Sequence, residues 1–216
     1  MISKGFSTIR AAIETQYGIL SQMICDISSH YQKELQKIQN EAQYIAKENS
    51  DGDYEIYLSI LHSFADIEGV HIELLKESRK IVFCAIFSYY ETMLNEFLRY
   101  YKIPSNARQI GQIFDCILQT YKDRFSGYEI HISNEHILYL NQFCRLLRNF
   151  YMHGILSNNN DKYVLWSSVE KMDGIKNNSN TIIIQADRFL FNTLDIARNV
   201  LANIDNSFEK RISINN

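Results

Sequence analysis

Residues Ile9–Ile45 read IRAAIETQYGILSQMICDISSHYQKELQKIQNEAQYI, and this stretch decides the fold. Mostly apolar side chains recur along it at alternating steps of three and four residues, which is the spacing of one helix face. The positions are Ile9, Ile13, Gln16, Leu20, Met23, Ile27, Tyr31, Leu35, Ile38, Ala42 and Ile45. Such a stripe must be covered by another helix. We therefore predict a long N-terminal helix, within residues 1–50, packed in a helical bundle.

The composition of the whole chain also predicts a mainly α protein. Of its 216 residues, 46% are hydrophobic and 22% are charged, as in ordinary globular proteins. The chain has one proline, Pro104, and eight glycines. Sandwiches, barrels and propellers need turn residues at every strand end, so this scarcity argues against them and favours long helices.

Charge and hydropathy narrow the classes of partner. The net charge of −3 argues against a globally basic nucleic-acid binder, so any contact with RNA or DNA is expected to be local. No 18-residue apolar stretch is present, which predicts no membrane partner. The segment Met1–Arg10 lacks the apolar core of a signal peptide, and we expect a cytoplasmic location.

Helical spacing continues after the turn-forming segment Glu48–Asp53. A second helical run starts near Tyr54 and carries an apolar and aromatic stripe through Ile81–Tyr101. Further helices are predicted over Asn106–Tyr121, with Ser105 as N-cap, over Asn134–His153, with Gly154 as left-handed cap, and over Asp187–Phe208.

A β-hairpin is predicted before the last helix. Ser157–Asp161 has loop composition, and two β-branched or aromatic runs follow it, Tyr163–Ser168 and Thr181–Ala186, separated by the turn-rich Lys171–Asn180. The predicted chain is a single domain, residues 1–216, with a long helix at 1–50, a bundle core at 54–154, a hairpin at 162–186 and a final helix at 187–208.

Metal and cofactor motifs are absent from the sequence. Cys25, Cys84, Cys116 and Cys144 lie far apart without a Cys-x-x-Cys pair, so we predict buried free thiols rather than a zinc or redox site. Glu68-x-x-His71 has the spacing of a di-iron ligand pair, but no second copy accompanies it, and a pair outside any metal site is expected. No cofactor is therefore expected.

The segment Leu146–Gly154, LLRNFYMHG, carries the strongest functional signal. Four residues separate Arg148 from His153, and Asn149 follows the arginine directly. When three different separations are allowed, such an arginine–histidine pair arises about once by chance in this composition, and Arg124 to His131, with six residues between them, is a second match. On a helix, Leu147, Phe150 and Tyr151 share the buried face, and Asn149 and His153 share another. Arg148 lies about 140° away from His153.

The residues alone leave two interpretations of this segment open. Gly154 places His153 at a helix C-terminus, where the negative end of the helix dipole attracts a charged imidazole suited to proton transfer. In the structural interpretation, Arg148 is only a solvent-facing helix residue and His153 only a partner of the dipole.

LLRNFYMHG resembles the Arg-Asn-x-x-x-His signature of the HEPN superfamily (higher eukaryotes and prokaryotes nucleotide-binding domains). Its position late in a helical bundle is also similar. Upstream, Phe87–Phe97 (FSYYETMLNEF) resembles the second-helix segment of bacterial HEPN proteins, an aromatic pair followed by an acidic residue. The resemblance covers Ile81–Gly154 and the final helix, and it implies a HEPN-like antiparallel helical bundle. It does not require the long first helix or the hairpin.

Many HEPN proteins are metal-independent endoribonucleases that act in toxin–antitoxin or phage-defence systems, and some are catalytically silent. The resemblance therefore implies that this chain is such an endoribonuclease. The expected catalytic residues are Arg148, which would bind phosphate, His153, which would transfer protons, and Asn149, which would orient either group. Glu91 matches the acidic residue of the family's second helix and is a candidate to hold Arg148. The alternative, that Glu91 is only a surface carboxylate without a role at the site, fits the sequence at least as well.

Supporting residues for RNA binding and partner proteins are also expected. Arg145 contributes to a local basic patch for RNA, and Tyr151 is a candidate for base stacking, although aromatics at helical spacing more often form core. One chain supplies one imidazole where the reaction needs an acid and a base, so a homodimer with a composite cleft is expected. An antitoxin or defence partner protein is also expected.

A different class of function remains open. The chain could be a non-catalytic helical interaction module whose Ile9–Ile45 stripe docks a partner. Binding would then survive Arg148→Ala and fail when Leu20 or Ile27 becomes charged. A regulator paired with a nuclease is a third interpretation, distinguished by expressing each gene of the pair alone.

Overall fold

The computed structural model describes residues 8–154, 156, 158–178 and 181–215, and it is mainly helical. The elements in chain order are α1 (Thr8–Asn49), α2 (Tyr54–Tyr100), α3 (Ile110–Arg124), α4 (Asn134–Leu138), a π-helix (Tyr139–Cys144), α5 (Arg145–His153), α6 (Asn159–Val169), β1 (Ile175–Asn178), β2 (Thr181–Ile184) and α7 (Asp187–Asn215). This confirms a mainly α helical bundle. None of the described helices combines the length and apolarity that crossing a membrane requires.

Helices α1 and α2 form a long antiparallel hairpin. The turn between them contains Gly52 at a φ of 81°, a conformation that glycine adopts without steric cost. Asp53 then caps α2, since its carboxylate accepts hydrogen bonds from the backbone N–H groups of Glu55 and Ile56. Farther along the pair, the Tyr89 hydroxyl donates to the Ile13 carbonyl at 3.3 Å. The predicted long first helix is confirmed.

The predicted stripe of α1 is confirmed in part. Of its members, Ile9, Ile13, Leu20 and Ala42 are buried and Gln16 is exposed. Met23 and Ile27 are half-buried, on either side of the buried Ile24. The physical reason is that α1 packs against two helices, α2 and α7, so its buried face is wider than a single seam.

Two polar links join α1 to α7. The Tyr17 hydroxyl donates to Asp195 Oδ1 at 2.8 Å. Arg198 Nη2 lies 2.7 Å from Glu14 Oε2, and the Arg198 guanidinium also lies over the Tyr17 ring. These contacts hold α7 against the antiparallel pair of helices α1 and α2.

The second half of α2 forms the centre of the core. Its largest fully buried side chains include Phe83, Tyr90 and Phe97. At the C-terminal end of α2, Tyr101 stacks on Phe208 of α7 with ring centroids 4.2 Å apart, and its hydroxyl donates to Asp205 Oδ1 at 2.7 Å. Helix α7 begins at Asp187 as predicted, but it continues to Asn215, so the prediction that it ends at Phe208 is wrong.

The predicted hairpin is present before the last helix, but its first strand was misplaced. Tyr163–Ser168 lies within α6, because the Asn158 side chain accepts from the Asp161 N–H and starts a helix that buries Leu165. That helix also begins inside the predicted loop Ser157–Asp161, of which Ser157 lies outside the described residues. The strands are β1 and β2, antiparallel, with Ile175 opposite Ile184.

Two smaller predictions also need correction. Helix α3 starts at Ile110 with Gln109 as N-cap, because Ser105 instead accepts a hydrogen bond from the Ala107 N–H in the turn before it. The four cysteines are free, but only Cys144 is buried; Cys25 is exposed, and Cys84 and Cys116 are half-buried. The latter two pack against the core without being enclosed by it.

Candidate active site

The helix that carries the LLRNFYMHG segment contains a π-helix. The predicted run Asn134–His153 is continuous, but Tyr139–Cys144 adopts the wider π geometry just before α5. Such π segments are rare and occur frequently at functional sites. The Tyr139 hydroxyl lies 2.6 Å from Thr193 Oγ1, so this turn is held against α7. The extra residue per turn rotates every later side chain around the helix axis.

The buried face of α5 is the one that the sequence predicts. Leu147 is fully buried, and Phe150 and Tyr151 pack against the core. The Phe150 ring meets Trp166 of α6 edge-on, with centroids 5.3 Å apart. These contacts anchor α5, so that its remaining side chains are presented from a rigid element.

Tyr151 connects α5 to the hairpin. Its hydroxyl donates to the Ile182 carbonyl at 3.2 Å, and its ring meets Phe83 edge-on at 5.9 Å. Burial raises the pKa of this phenol well above its ordinary value. Lys80 lies over the ring, 5.8 Å from its centroid. Tyr151 is thus engaged within the fold on several sides.

Arg148 lies between α5 and α2. Its Nη1 donates to Asn149 Oδ1 at 3.3 Å, which joins the first two residues of the motif. On α2, burial raises the pKa of the Glu91 carboxyl, and the positive charge of Arg148 acts in the opposite direction. Burial likewise raises the pKa of the Cys84 thiol, again with Arg148 opposing. The structure therefore places Arg148 of α5 near Glu91 and Cys84 of α2. Within the described parts of these two helices, no ion pair within 4.0 Å joins Arg148 to Glu91, so Glu91 acts on Arg148 through its charge and not through a direct contact.

His153 lies at the exposed end of α5. It is the last residue of the helix, and Gly154 follows in the left-handed conformation, φ 68°, donating its N–H to the Phe150 carbonyl at 2.9 Å. His153 and its neighbour Met152 are both exposed. Among the described residues, no hydrogen bond joins Arg148 to His153. A single chain thus presents the cation and the imidazole at separate positions of one helix, as the predicted divergence of about 140° requires.

Arg145 and Asn141 precede the motif by one and two turns. Arg145 Nε donates to the Asn141 carbonyl at 3.2 Å, so the predicted supporting arginine bonds to its own helix backbone. The Asn141 side chain accepts from the hydroxyl of the fully buried Tyr90 at 3.1 Å. The contacts of Asn141 with Tyr90 and of Tyr151 with Phe83 align this helix antiparallel to α2.

Two residues that lie next to the motif in the structure, Cys84 and Asn141, were not identified from the sequence. Cys84 stands seven residues before Glu91, so both lie on one face of α2, and this spacing was the available signal. The sequence gives no signal for the role of Asn141. Its partner Tyr90 is 51 residues away, and the π-helix sets the direction of the Asn141 side chain.

The second arginine–histidine pair has a structural explanation. Arg124 donates from Nη1 and Nη2 to the carbonyls of Tyr101 and Lys102, at 2.5 and 2.7 Å. These carbonyls lie at the end of α2, so Arg124 serves as a C-terminal cap and not as a partner of His131. Within the described ranges, no group of three or more His, Cys, Asp or Glu side chains is arranged to hold a metal ion.

No protein-family model, curated protein or solved structure matches this chain. The resemblance to the HEPN superfamily therefore rests on the residues of the motif and on their placement at the end of α5, against α2.

Proposed function

We propose that the chain is a metal-independent endoribonuclease of the HEPN type that cleaves single-stranded RNA, acting as a toxin of a toxin–antitoxin or phage-defence system in the cytoplasm. The observation that carries the proposal is the geometry of α5. Arg148 contacts Asn149 and lies beside Glu91, while His153 is exposed at the capped end of the same anchored helix.

The reaction is an internal transphosphorylation. The ribose 2′-oxygen attacks the adjacent phosphorus, the bond between phosphorus and the 5′-oxygen breaks, and the products are a 2′,3′-cyclic phosphate and a 5′-hydroxyl. One proton leaves the 2′-hydroxyl and one reaches the departing 5′-oxygen, so a base and an acid are needed. Negative charge accumulates on the phosphorane oxygens, where a fixed cation stabilises the transition state.

Each motif residue has a role that its chemistry suits. His153 transfers the protons, because imidazole can act as base or acid near neutral pH. Arg148 offers a permanently charged fork of N–H donors for the phosphate oxygens. Asn149, bonded to Arg148, orients that fork, and the half-buried Glu91 carboxylate attracts it electrostatically.

Two copies of the chain complete the site. One His153 cannot be acid and base at the same moment, and the exposed end of α5 leaves it open to a second protomer. A two-fold axis near the two His153 side chains would place two imidazoles and two guanidinium groups around one phosphate. The proposed active form is therefore a homodimer with one composite cleft, held in check by an antitoxin or partner protein.

Induced expression in a bacterial host tests the proposal. Wild type should arrest growth and create new RNA ends with cyclic phosphates, whereas His153→Ala and Arg148→Ala should be harmless. His62→Ala and Arg108→Ala are matched controls on exposed residues and should behave as wild type. Absence of new ends in the wild type, or equal toxicity of His153→Ala, would contradict the proposal.

A specific observation favours a second function, that of a helical interaction module. In the stripe first considered for docking, Ile9, Ile13 and Leu20 are buried in the chain's own core, so these positions are not open to a partner. Helix α2 instead exposes a second apolar stripe whose members are each more than two-fifths exposed: Ile56, Ile67, Val70, Leu74 and Ile81. If this face is the functional one, Val70→Asp abolishes partner binding while Arg148→Ala leaves it intact.

A further inference from the structure

A cavity of about 470 Å³ lies between the loop after α3 and the C-terminal half of α7. It is built from different elements than the Arg148 site, and no part of the endoribonuclease proposal uses it. Its volume falls within the range of small-molecule sites and is larger than a bare phosphate needs. The side chains that decide its chemistry are Tyr128, His131, Asn203, Asn206, Lys210 and Arg211.

The cavity has an excess of positive charge. Its one carboxylate, Glu129, is paired with Lys122 at 2.7 Å, and the hydrogen bond and then the charge of Lys122 lower the pKa of Glu129. In the described part of the chain, no carboxylate oxygen lies within 4.0 Å of Lys210 or Arg211. These two cations therefore remain available to an anion.

Arg211 is preorganised to bind a phosphate. Its guanidinium carbon lies 3.4 Å from the centroid of the Tyr128 ring, so the planar group stacks on the aromatic face. Stacking fixes the plane and leaves the N–H edges free for two parallel hydrogen bonds to phosphate oxygens. Tyr128 is still 51% exposed and offers surface to a second flat group.

Amides complete the recognition surface. Asn203, Asn206 and Lys210 recur at steps of three and four residues along α7, so they lie on one helix face. Each amide presents donors and an acceptor, the combination that pairs with the edge of a nucleobase. A phosphate group is thus expected beside Arg211 and Lys210, and a base beside Tyr128 and the two amides.

We propose that this cavity binds a nucleotide, that is, a phosphate ester carrying an aromatic base. The nucleotide could be a free mononucleotide or one residue of a single-stranded RNA, because both present the same chemistry. Titration calorimetry with AMP, UMP, adenosine, inorganic phosphate and a six-residue RNA distinguishes these sources; the 2′-hydroxyl groups of the RNA are methylated so that the protein cannot cleave it. A hexamer that binds at least tenfold more tightly than both mononucleotides identifies RNA, and otherwise the free nucleotide is the ligand.

The variants give the proposal its test. Arg211→Gln and Lys210→Gln should each weaken binding of AMP or UMP by about tenfold or more, the effect of losing a charge-assisted hydrogen bond. Arg108→Gln, a matched change at an exposed arginine, should have no effect. Tyr128→Phe keeps the aromatic ring and should bind as wild type, and adenosine should bind at least tenfold more weakly than AMP.

Three results would overturn the proposal: no binding of either mononucleotide or of RNA at millimolar concentration, binding that Arg211→Gln leaves unchanged, or inorganic phosphate binding as tightly as AMP. The part of AMP and UMP binding that Arg211→Gln removes should remain intact in Arg148→Ala and His153→Ala. A failure of the endoribonuclease proposal is therefore separable from a failure of this one.

Discussion

The Arg148 guanidinium on α5 lies beside the half-buried Glu91 carboxyl on α2, where its charge opposes the rise in the pKa of Glu91 that burial causes. The two residues are 57 positions apart in sequence, and the antiparallel packing of α5 on α2 brings them together. Arg148 is also hydrogen-bonded to Asn149 on its own helix. A phosphate-binding residue that is positioned before the substrate arrives acts with little reorganisation.

Removing Arg148 should change the ionisation of Glu91 in a known direction. In Arg148→Ala the opposing charge is lost while burial remains, so the pKa of Glu91 should rise further, and Glu91 should ionise at higher pH than in wild type. Carbon-detected NMR titration of the Glu91 carboxyl measures this. Arg145→Ala, which removes a cation that bonds to its own helix backbone, is the control. An unchanged or lowered pKa of Glu91 in Arg148→Ala would show that the two groups are not neighbours.

Gly154 should be required for the end of α5. Its φ of 68° disfavours any residue with a Cβ, so Gly154→Ala should destabilise the protein by about 1 kcal/mol and lower Tm by about 2–4 °C. Gly69→Ala, in the middle of α2, should instead stabilise it by about 0.5–1 kcal/mol. A Cβ meets no atom within 4 Å at either position, so the comparison isolates backbone conformation. Thermal unfolding of both variants measures it, and equal effects would contradict the capped geometry.

The first helix should contribute stability through the positions that the fold buries. Leu20→Ala should lower the free energy of unfolding by about 2–5 kcal/mol, because Leu20 is 6% exposed and its removal leaves a cavity. Gln16→Ala, one turn earlier in the same predicted stripe, should change it by less than about 0.5 kcal/mol. Denaturant unfolding of the pair is the measurement. A small effect of Leu20→Ala would mean that α1 is not packed on the bundle.

The composite cleft predicts that activity depends on association. RNA cleavage per chain should fall when the protein is diluted below the dissociation constant of the dimer, and analytical ultracentrifugation should show the dimer disappearing over the same range. Met152→Asp, at an exposed residue next to His153, should weaken both together. Full specific activity in a species that sediments at 25.3 kDa would contradict the dimer.

The long helices were predictable because their evidence is local. Stripes at steps of three and four indicated the long helices, and Asp187 at the start of α7 and Gly154 after α5 were placed correctly. Tyr163–Ser168 was wrongly assigned to a strand because aromatic and β-branched residues favour strands. In the structure, the Asn158 cap and the burial of Leu165 stabilise a helix there instead.

The candidate site was predictable only in part. The sequence indicated Arg148, Asn149 and His153 and suggested Glu91, because these lie within recognisable local patterns. The π-helix at Tyr139–Cys144 has no local signature, since it depends on packing against α7. The cap formed by Arg124 and the cavity between α3 and α7 join residues that are far apart in the chain, so no pattern of spacing predicts them.

Cleavage of a defined RNA by the purified protein tests the central claim most directly. A single-stranded RNA and its analogue with deoxyribose at the cleaved nucleotide are incubated in EDTA with wild type, His153→Ala or His62→Ala. The account predicts that wild type and His62→Ala convert the RNA to a 2′,3′-cyclic phosphate and a 5′-hydroxyl product. It also predicts that the deoxyribose analogue stays intact and that His153→Ala is at least a hundredfold slower, the contribution expected of a proton-transferring residue. Cleavage of the analogue at the same bond, or undiminished cleavage by His153→Ala, would contradict it.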